Sequence, residues 1–364
     1  MFDRRLVTHF DWMLLGLIVA VAGLGILNLC SVTADWSAAT PVYLKQLTWF
    51  ALGLGIAFSL CLFDYRHLEY SAFFAYGFTL LLLLAVMLVG RTAMGATRWL
   101  SLGPINLQPS EIAKVVIIIT LARYFALHGR LGGLNLSELL IPLGFVLLPV
   151  AFILKQPDLG TAMMLLFIGA TMILFAGVKL RTFITLAGVA VAAAWTGWSF
   201  LHDYQRQRVF TFLNPEADPR GSGYHIIQSK IAIGSGSLTG KGFMEGTQSQ
   251  LAFLPERHTD FAFSVFAEEW GFIGTAVLLT LYLLIIIWGI YIARRASDRF
   301  GMYLAVGVTA MLFWHIIINL GMVTGLLPVV GIPLPLFSYG GTSMVTTMIG
   351  AGLLLNVSMR RFMF

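Results

Sequence analysis

Residues 263–293, FSVFAEEWGFIGTAVLLTLYLLIIIWGIYIA, carry Glu268 and Glu269 in their first turns and then no charged side chain before Arg294. About 20 apolar residues in a helix cross the roughly 30 Å hydrocarbon core of a bilayer, so this run spans with length to spare. Backbone groups have no water to bond in lipid, which restricts such a run to a helix or a closed barrel, and its unbroken apolarity selects the helix. Working outward, further apolar runs lie at 13–31, 47–63, 71–90, 111–127, 137–154, 159–177, 183–201, 302–324 and 341–358. The run at 111–127 is the weakest, with Glu111 and Lys114 in its first turn and Arg123 near its end. The expected fold class is therefore all-α: a polytopic integral membrane protein with about ten transmembrane helices, residues 1–364 forming one transmembrane domain. Composition agrees, since 58% of residues are hydrophobic and 11% charged, against about 25% charged in soluble domains.

The formal charge of +6 has no Lys/Arg tract or aromatic-basic repeat behind it, so nucleic acid is not an expected partner. Topology accounts for the charge better. If every run spans, Arg4, Arg5, Arg66, Arg123, Arg130, Lys179, Arg181, Arg294, Arg295, Arg299, Arg360 and Arg361 fall on one side, against only Lys45, Arg91, Arg98 and Lys155 in the short loops opposite. The positive-inside rule makes the basic side cytoplasmic, with both termini there. The segments 91–110, 202–262 and 325–340 then face outward, and 202–262 is one large extracytoplasmic loop. The first run lacks a small-residue cleavage site and is expected to be retained as a span. Cys30 and Cys61 each sit inside an apolar run and suggest neither a disulfide framework nor a thiolate metal site.

Several outer residues have types suited to chemistry. Asp260, in FLPERHTDF (residues 253–261), stands at the membrane boundary, where partial desolvation raises a carboxyl pKa and suits a general base. Thr259 and Asp260 are equally suited to cap the following helix, and the residues alone leave both readings open. Glu111 and Lys114 share a helix face: they either pair to stabilise the helix or mark a substrate path, as charges inside a membrane often do. Asp158, in QPDLGT (156–161), is another outer carboxylate with helix capping as its simpler role. Arg206 and Arg208, alternating in YQRQR (204–208), have the donors to grip a diphosphate or to meet solvent and headgroups. GIPLPLFSYGGTS (331–343) has the glycine and proline density of a fixed turn at the mouth of the last span, the kind of backbone that survives at membrane depth only where it lines a cavity. No metal-ligand spacing, Walker-type loop or dinucleotide fingerprint is present, so nucleotide-driven chemistry is not expected.

Taken together, RWL (98–100), QPSE through Lys114 (108–114), QPDLGT (156–161), QSK (228–230), GTQSQ (246–250), HTDF (258–261) and SYGGTS (338–343) occur in one order along nearly the whole chain. This set resembles the SEDS family (shape, elongation, division and sporulation), and GTQSQ with LPERHTDF is closest to its RodA branch. Ala262 and Thr342 depart from the family pattern, where isoleucine and serine are usual, and neither is charged. The resemblance implies a peptidoglycan glycosyltransferase of the bacterial inner membrane that polymerises lipid II during elongation. A class B penicillin-binding protein with transpeptidase activity and other elongation-machinery proteins are its expected partners. It implies Asp260 as the catalytic base of an inverting transfer, and makes Glu111, Lys114, Asp158, Arg206 and Arg208 the expected substrate-binding residues. No cofactor is required by the sequence; a divalent cation, Mg or Mn, at the diphosphate is the one addition the chemistry would admit. A lipid II flippase is the main competing expectation, because many helices with intramembrane charges also suit alternating access, and a pure scaffold is the third.

Overall fold

The structure, a computed structural model, describes residues 8–32, 41–93, 96–102, 105–129, 133–197, 199, 203–217, 222–250, 253–254 and 256–361. Arg4, Arg5 and Arg130 lie outside them. Each apolar run is helical: α1 (Trp12–Val32), α2 (Val42–Leu62), α3 (Arg66–Val89), α4 (Pro109–His128), α5 (Leu136–Lys155), α6 (Leu159–Phe175), α7 (Leu180–Gly197), α11 (Ala262–Arg294), α12 (Arg299–Val323) and α13 (Gly341–Met359). Seven of these, α1, α2, α3, α5, α11, α12 and α13, are long and apolar enough to cross a membrane. α4 keeps three charged side chains, and α6 is short for a span.

Two segments depart from plain helices and loops. Residues 91–107 form a small antiparallel sheet, β1 (Arg91–Ala93), β2 (Ala96–Leu102) and β3 (Ile105–Leu107), in the order β1-β2-β3, so the fold is helical with one local exception. The expected large loop at 202–262 is itself largely helical among its described residues: α8 (Asp203–Leu213), α9 (Ser222–Ser235) and the one-turn α10 (Thr247–Gln250). α9 packs against α11, and its buried Ser229 hydroxyl lies 2.8 Å from that of Ser264 and donates to the Val323 carbonyl.

α4 and α12 form the centre, packed on each other; α3 and α6 flank α4, and α11 flanks α12. Both central helices are buried around most of their circumference, whereas α2, α3 and α5 turn many large apolar side chains outward. That is the pattern expected when lipid is the solvent. At one end of the bundle Arg66 pairs with Asp298 at 3.4 Å, Arg360 lies 4.0 Å from Asp64, and Arg299 donates to the Gly129 carbonyl. Three of the basic residues that the sequence put on one side, Arg66, Arg299 and Arg360, therefore meet there.

At the other end, α11 breaks its helical geometry at Gly271 (φ 62°). The break frees carbonyls that the 236–242 segment takes up: the Lys241 and Gly242 amides donate to Glu268 and Glu269 at 3.0 and 3.1 Å, and the Phe272 and Ile273 amides donate back to Ser237 and Leu238. Lys241 Nζ closes this clamp on the Glu268 carboxylate at 2.6 Å. The short piece of α11 ahead of Gly271, which begins just after Asp260, is thereby held from both sides. The 331–340 segment is held in turn by α1, where a Cβ on Gly25 would come within 2.6 Å of the Phe337 backbone. Gly25→Val is expected to lower stability by about 1–3 kcal/mol, seen as a lower thermal midpoint in detergent.

Candidate active site

A cavity of about 420 Å³ opens between α4, α6, α12, the β2 end and the turns at 259–260 and 331–343. Asp260, Glu111, Lys114 and Asp158 all line it, so four of the six residues expected from the sequence converge, although they are far apart in the chain. The glycine-rich 331–343 segment forms one wall, as its composition suggested.

Asp260 does not cap α11. The N-cap is Phe261, with no side-chain hydrogen bond, so the Asp260 carboxylate is left to the cavity. Its backbone is pinned instead: Asn319 Nδ2 of α12 donates to the Asp260 carbonyl at 3.0 Å and to the Ile332 carbonyl at 2.7 Å. The Tyr339 amide donates to the His258 carbonyl at 2.9 Å, tying the two turns together. Gly331, at φ 73°, brings its backbone close, and a Cβ there would sit 3.4 Å from Asp260 Oδ2. Burial pushes the Asp260 carboxyl up to about 6; the Glu256 carboxylate adds to the shift and the Arg208 guanidinium opposes it. Desolvation disfavours the ionised form of an acid, and the result is a carboxylate basic enough to take a proton near neutral pH.

Glu111 and Lys114 do pair, at 2.7 Å and buried. They meet a residue the sequence gave no reason to single out: Lys114 Nζ lies 2.9 Å from His315 Nε2 on α12. A lone histidine in an apolar helix carries no motif, and only the packing of α12 on α4 reveals it. Asp158 takes the capping role and also faces the cavity. It caps α6, accepting from the Thr161 amide at 3.2 Å and the Thr161 hydroxyl at 2.9 Å, and it also receives Gln108 Nε2 at 3.4 Å and Arg98 Nη1 at 3.9 Å. Arg98, further fixed by the Pro157 carbonyl, joins β2 to the α5–α6 turn and adds a second cation to the cavity wall.

Arg206 and Arg208 lie on α8 outside the cavity lining. Arg206 donates to the Ser199 carbonyl at 2.8 Å, and the Arg208 guanidinium acts on the Asp260 carboxyl through its positive charge. Trp49, not anticipated from sequence, and Tyr339, from the segment expected to line a cavity, add aromatic rings to its lining. Among the described residues no group of three or more His, Cys, Asp or Glu side chains comes together to hold a metal ion.

A bundle of lipid-facing helices that encloses a basic carboxylate, a buried ammonium and aromatic walls defines an integral membrane protein with a polar reaction chamber at one end. The model of the FtsW, RodA and SpoVE family, described as cell cycle protein, matches residues 5–362, and the chain belongs to that family. It is 45% identical over 324 residues, 88% of this chain and 86% of the relative, to the peptidoglycan glycosyltransferase MrdB of Escherichia coli K12. It is 34% identical to the peptidoglycan glycosyltransferase RodA of Treponema pallidum, covering 98% of this chain and 99% of that one. Among solved structures it superposes with a TM-score of 0.83 on a chain of a peptidoglycan synthase complex that coordinates polymerization and crosslinking, at 34% identity over 98% of this chain and 99% of that one. Against the rod shape determining protein RodA of Thermus thermophilus the TM-score is 0.73, with 31% identity over 98% of both chains.

Proposed function

We propose that this chain is a peptidoglycan glycosyltransferase that polymerises lipid II at the extracytoplasmic face of the bacterial inner membrane during elongation. The observation that carries the reading is the shared cavity. A carboxylate held at about 6 and a buried ammonium open onto one chamber, in a chain 45% identical to an enzyme named for this activity. In the step proposed, Asp260 takes the proton of the acceptor GlcNAc 4-hydroxyl as that oxygen attacks the anomeric carbon of the donor MurNAc. The new O4–C1 bond forms as the bond from C1 to the phosphate oxygen breaks. Undecaprenyl diphosphate leaves with the electron pair, and the proton passes from Asp260 to solvent. The lipid-linked bond is α and the glycan bond β, so one inverting displacement suffices.

Charge appears on the leaving diphosphate, where fixed cations in a water-poor site lower the barrier most. Lys114 and Arg98 are the cavity cations suited to this, with Asp158 orienting Arg98. Arg206 and Arg208 fit an approach path for the diphosphate better than the reaction point. A Mg or Mn ion would add positive charge at the diphosphate, and among the described residues no cluster of carboxylates, histidines or cysteines is gathered to hold one. The meeting of Arg66, Arg299 and Arg360 at the opposite end supports cytoplasmic termini, ten spans and an outward cavity. The neighbour from a synthase complex that coordinates polymerization and crosslinking supports a crosslinking partner, which we take to be a class B penicillin-binding protein.

The test is polymerisation of purified lipid II by the detergent-solubilised chain with its penicillin-binding partner, read as glycan strands on a gel. Strands are expected. Absence of strands, together with protein-dependent passage of lipid II across liposomes, would replace the polymerase with a transporter. Because the base must be ionised, kcat/KM is expected to be flat above about pH 6 and to fall about tenfold per unit below it. A profile level down to pH 4.5 would remove Asp260 from the base role.

A further inference from the structure

Lys114 has three N–H donors and no acceptor. One donor goes to Glu111 Oε1 at 2.7 Å and a second to His315 Nε2 at 2.9 Å. His315 can accept because its other ring nitrogen, Nδ1, lies 2.7 Å from the Met311 carbonyl one helical turn earlier. A carbonyl oxygen only accepts, so Nδ1 holds the proton and Nε2 presents its lone pair to the ammonium. A doubly protonated ring would set a second positive charge against Lys114, so the contact itself requires the neutral ring.

All three side chains are buried, Lys114 at 2%, His315 at 5% and Glu111 at 7% exposure, and all three line the cavity. A lysine is ordinarily a mobile point charge on a flexible stem. Here two partners from two different helices take two of its donors, and the tetrahedral ammonium then has one direction left for the third. That third N–H has no partner among the described residues, and Glu111 Oε2 is likewise buried without one.

We propose that His315 is a positioning residue: by accepting from Lys114 it aims the remaining N–H at an anionic oxygen in the cavity, the phosphate of a polyprenyl diphosphate. This rests on the reading of Lys114 as a diphosphate ligand. His315 acts through Lys114 and exchanges no proton with substrate. An acceptor at the Nε2 position is what matters, not a titrating ring. Gln places an amide oxygen near that position, Phe keeps the ring without the acceptor, and Met fills the space with only a weak one.

The experiment measures equilibrium binding of farnesyl diphosphate to the full chain in detergent, for wild type, Lys114→Met, His315→Phe and His315→Gln, with thermal unfolding of each variant as the check on folding. His315→Phe is expected to weaken binding about tenfold, the worth of one well-placed charge-assisted hydrogen bond, and to raise KM for lipid II more than it lowers kcat. His315→Gln is expected to stay within about threefold of wild type. If His315→Phe does not fold, His315→Met makes the same comparison, and if Lys114→Met does not fold, Glu111→Gln/Lys114→Met takes its place. Lys114→Met binding like wild type would show that Lys114 is not the diphosphate ligand, and the reading beneath this proposal fails. If Lys114→Met loses binding while His315→Phe keeps it, the positioning role is overturned and the Lys114 reading stands. His315→Gln as weak as His315→Phe would overturn the acceptor role in favour of the ring itself.

Discussion

Asp260→Asn is expected to abolish glycan polymerisation, by about 10²–10⁴-fold as for loss of a general base, and at the same time to make the protein more stable. The two effects have one cause. Burial and the nearby Glu256 carboxylate hold the Asp260 carboxyl at about 6, against an ordinary 3.8. A carboxyl that binds its proton more tightly folded than unfolded loses folding stability as pH rises from the unfolded value to the folded one. Above pH 6 the penalty for keeping it ionised reaches at most about 3 kcal/mol. Asn has the same shape and no charge, so it removes the penalty along with the base. Thermal midpoints in detergent should coincide below pH 4 and diverge in favour of Asp260→Asn between pH 4 and 6. An inactive variant that is less stable at pH 7 would point to a structural role. An active one would end the proposed mechanism.

How far this was legible from the sequence depends on distance along the chain. Each spanning run announces itself, because in lipid every apolar side chain faces either solvent or core and no periodic polar face is needed; α11 could be read from residues 263–293 alone. The small sheet could not: RTA, ATRWLSL and INL are short and mixed, and each becomes a strand only by pairing with its neighbour. The large outer segment reads as a loop because its apolar residues are interrupted, yet α9 buries Ile226 and Ser229 against neighbours supplied by other helices. The same holds within the site. Asp260 was legible as a carboxylate at a boundary, but whether it capped α11 depended on Phe261 occupying the cap. Glu268 and Glu269 stood out just as strongly as charges near a membrane, yet the clamp on the 236–242 segment uses the Glu268 carboxylate and the Glu269 carbonyl structurally. His315 and Asn319, which fix Lys114 and Asp260 respectively, carry no local signal, because their meaning lies in partners 201 and 59 residues away.

Lys114→Met is expected to cost both folding and activity, and a second substitution separates the two. With the ammonium gone, the Glu111 carboxylate, bonded to Lys114 at 2.7 Å and nearly fully buried, loses its counter-ion. Breaking a buried pair from one side costs about 3–5 kcal/mol, because a charge stays desolvated and uncompensated. Removing both charges with Glu111→Gln/Lys114→Met eliminates that penalty. Buried pairs replaced by neutral groups of similar volume are often no less stable, so the double variant should recover to within about 1 kcal/mol of wild type. The coupling between the two sites then appears directly as the non-additivity of the cycle. Polymerisation should not recover with stability, since the cation that meets the leaving diphosphate is still missing, and the double variant is expected to remain at least about 10²-fold below wild type. A folded double variant that polymerises normally would reduce Glu111 and Lys114 to a structural ion pair, leaving Arg98 as the cation with which the cavity meets the diphosphate.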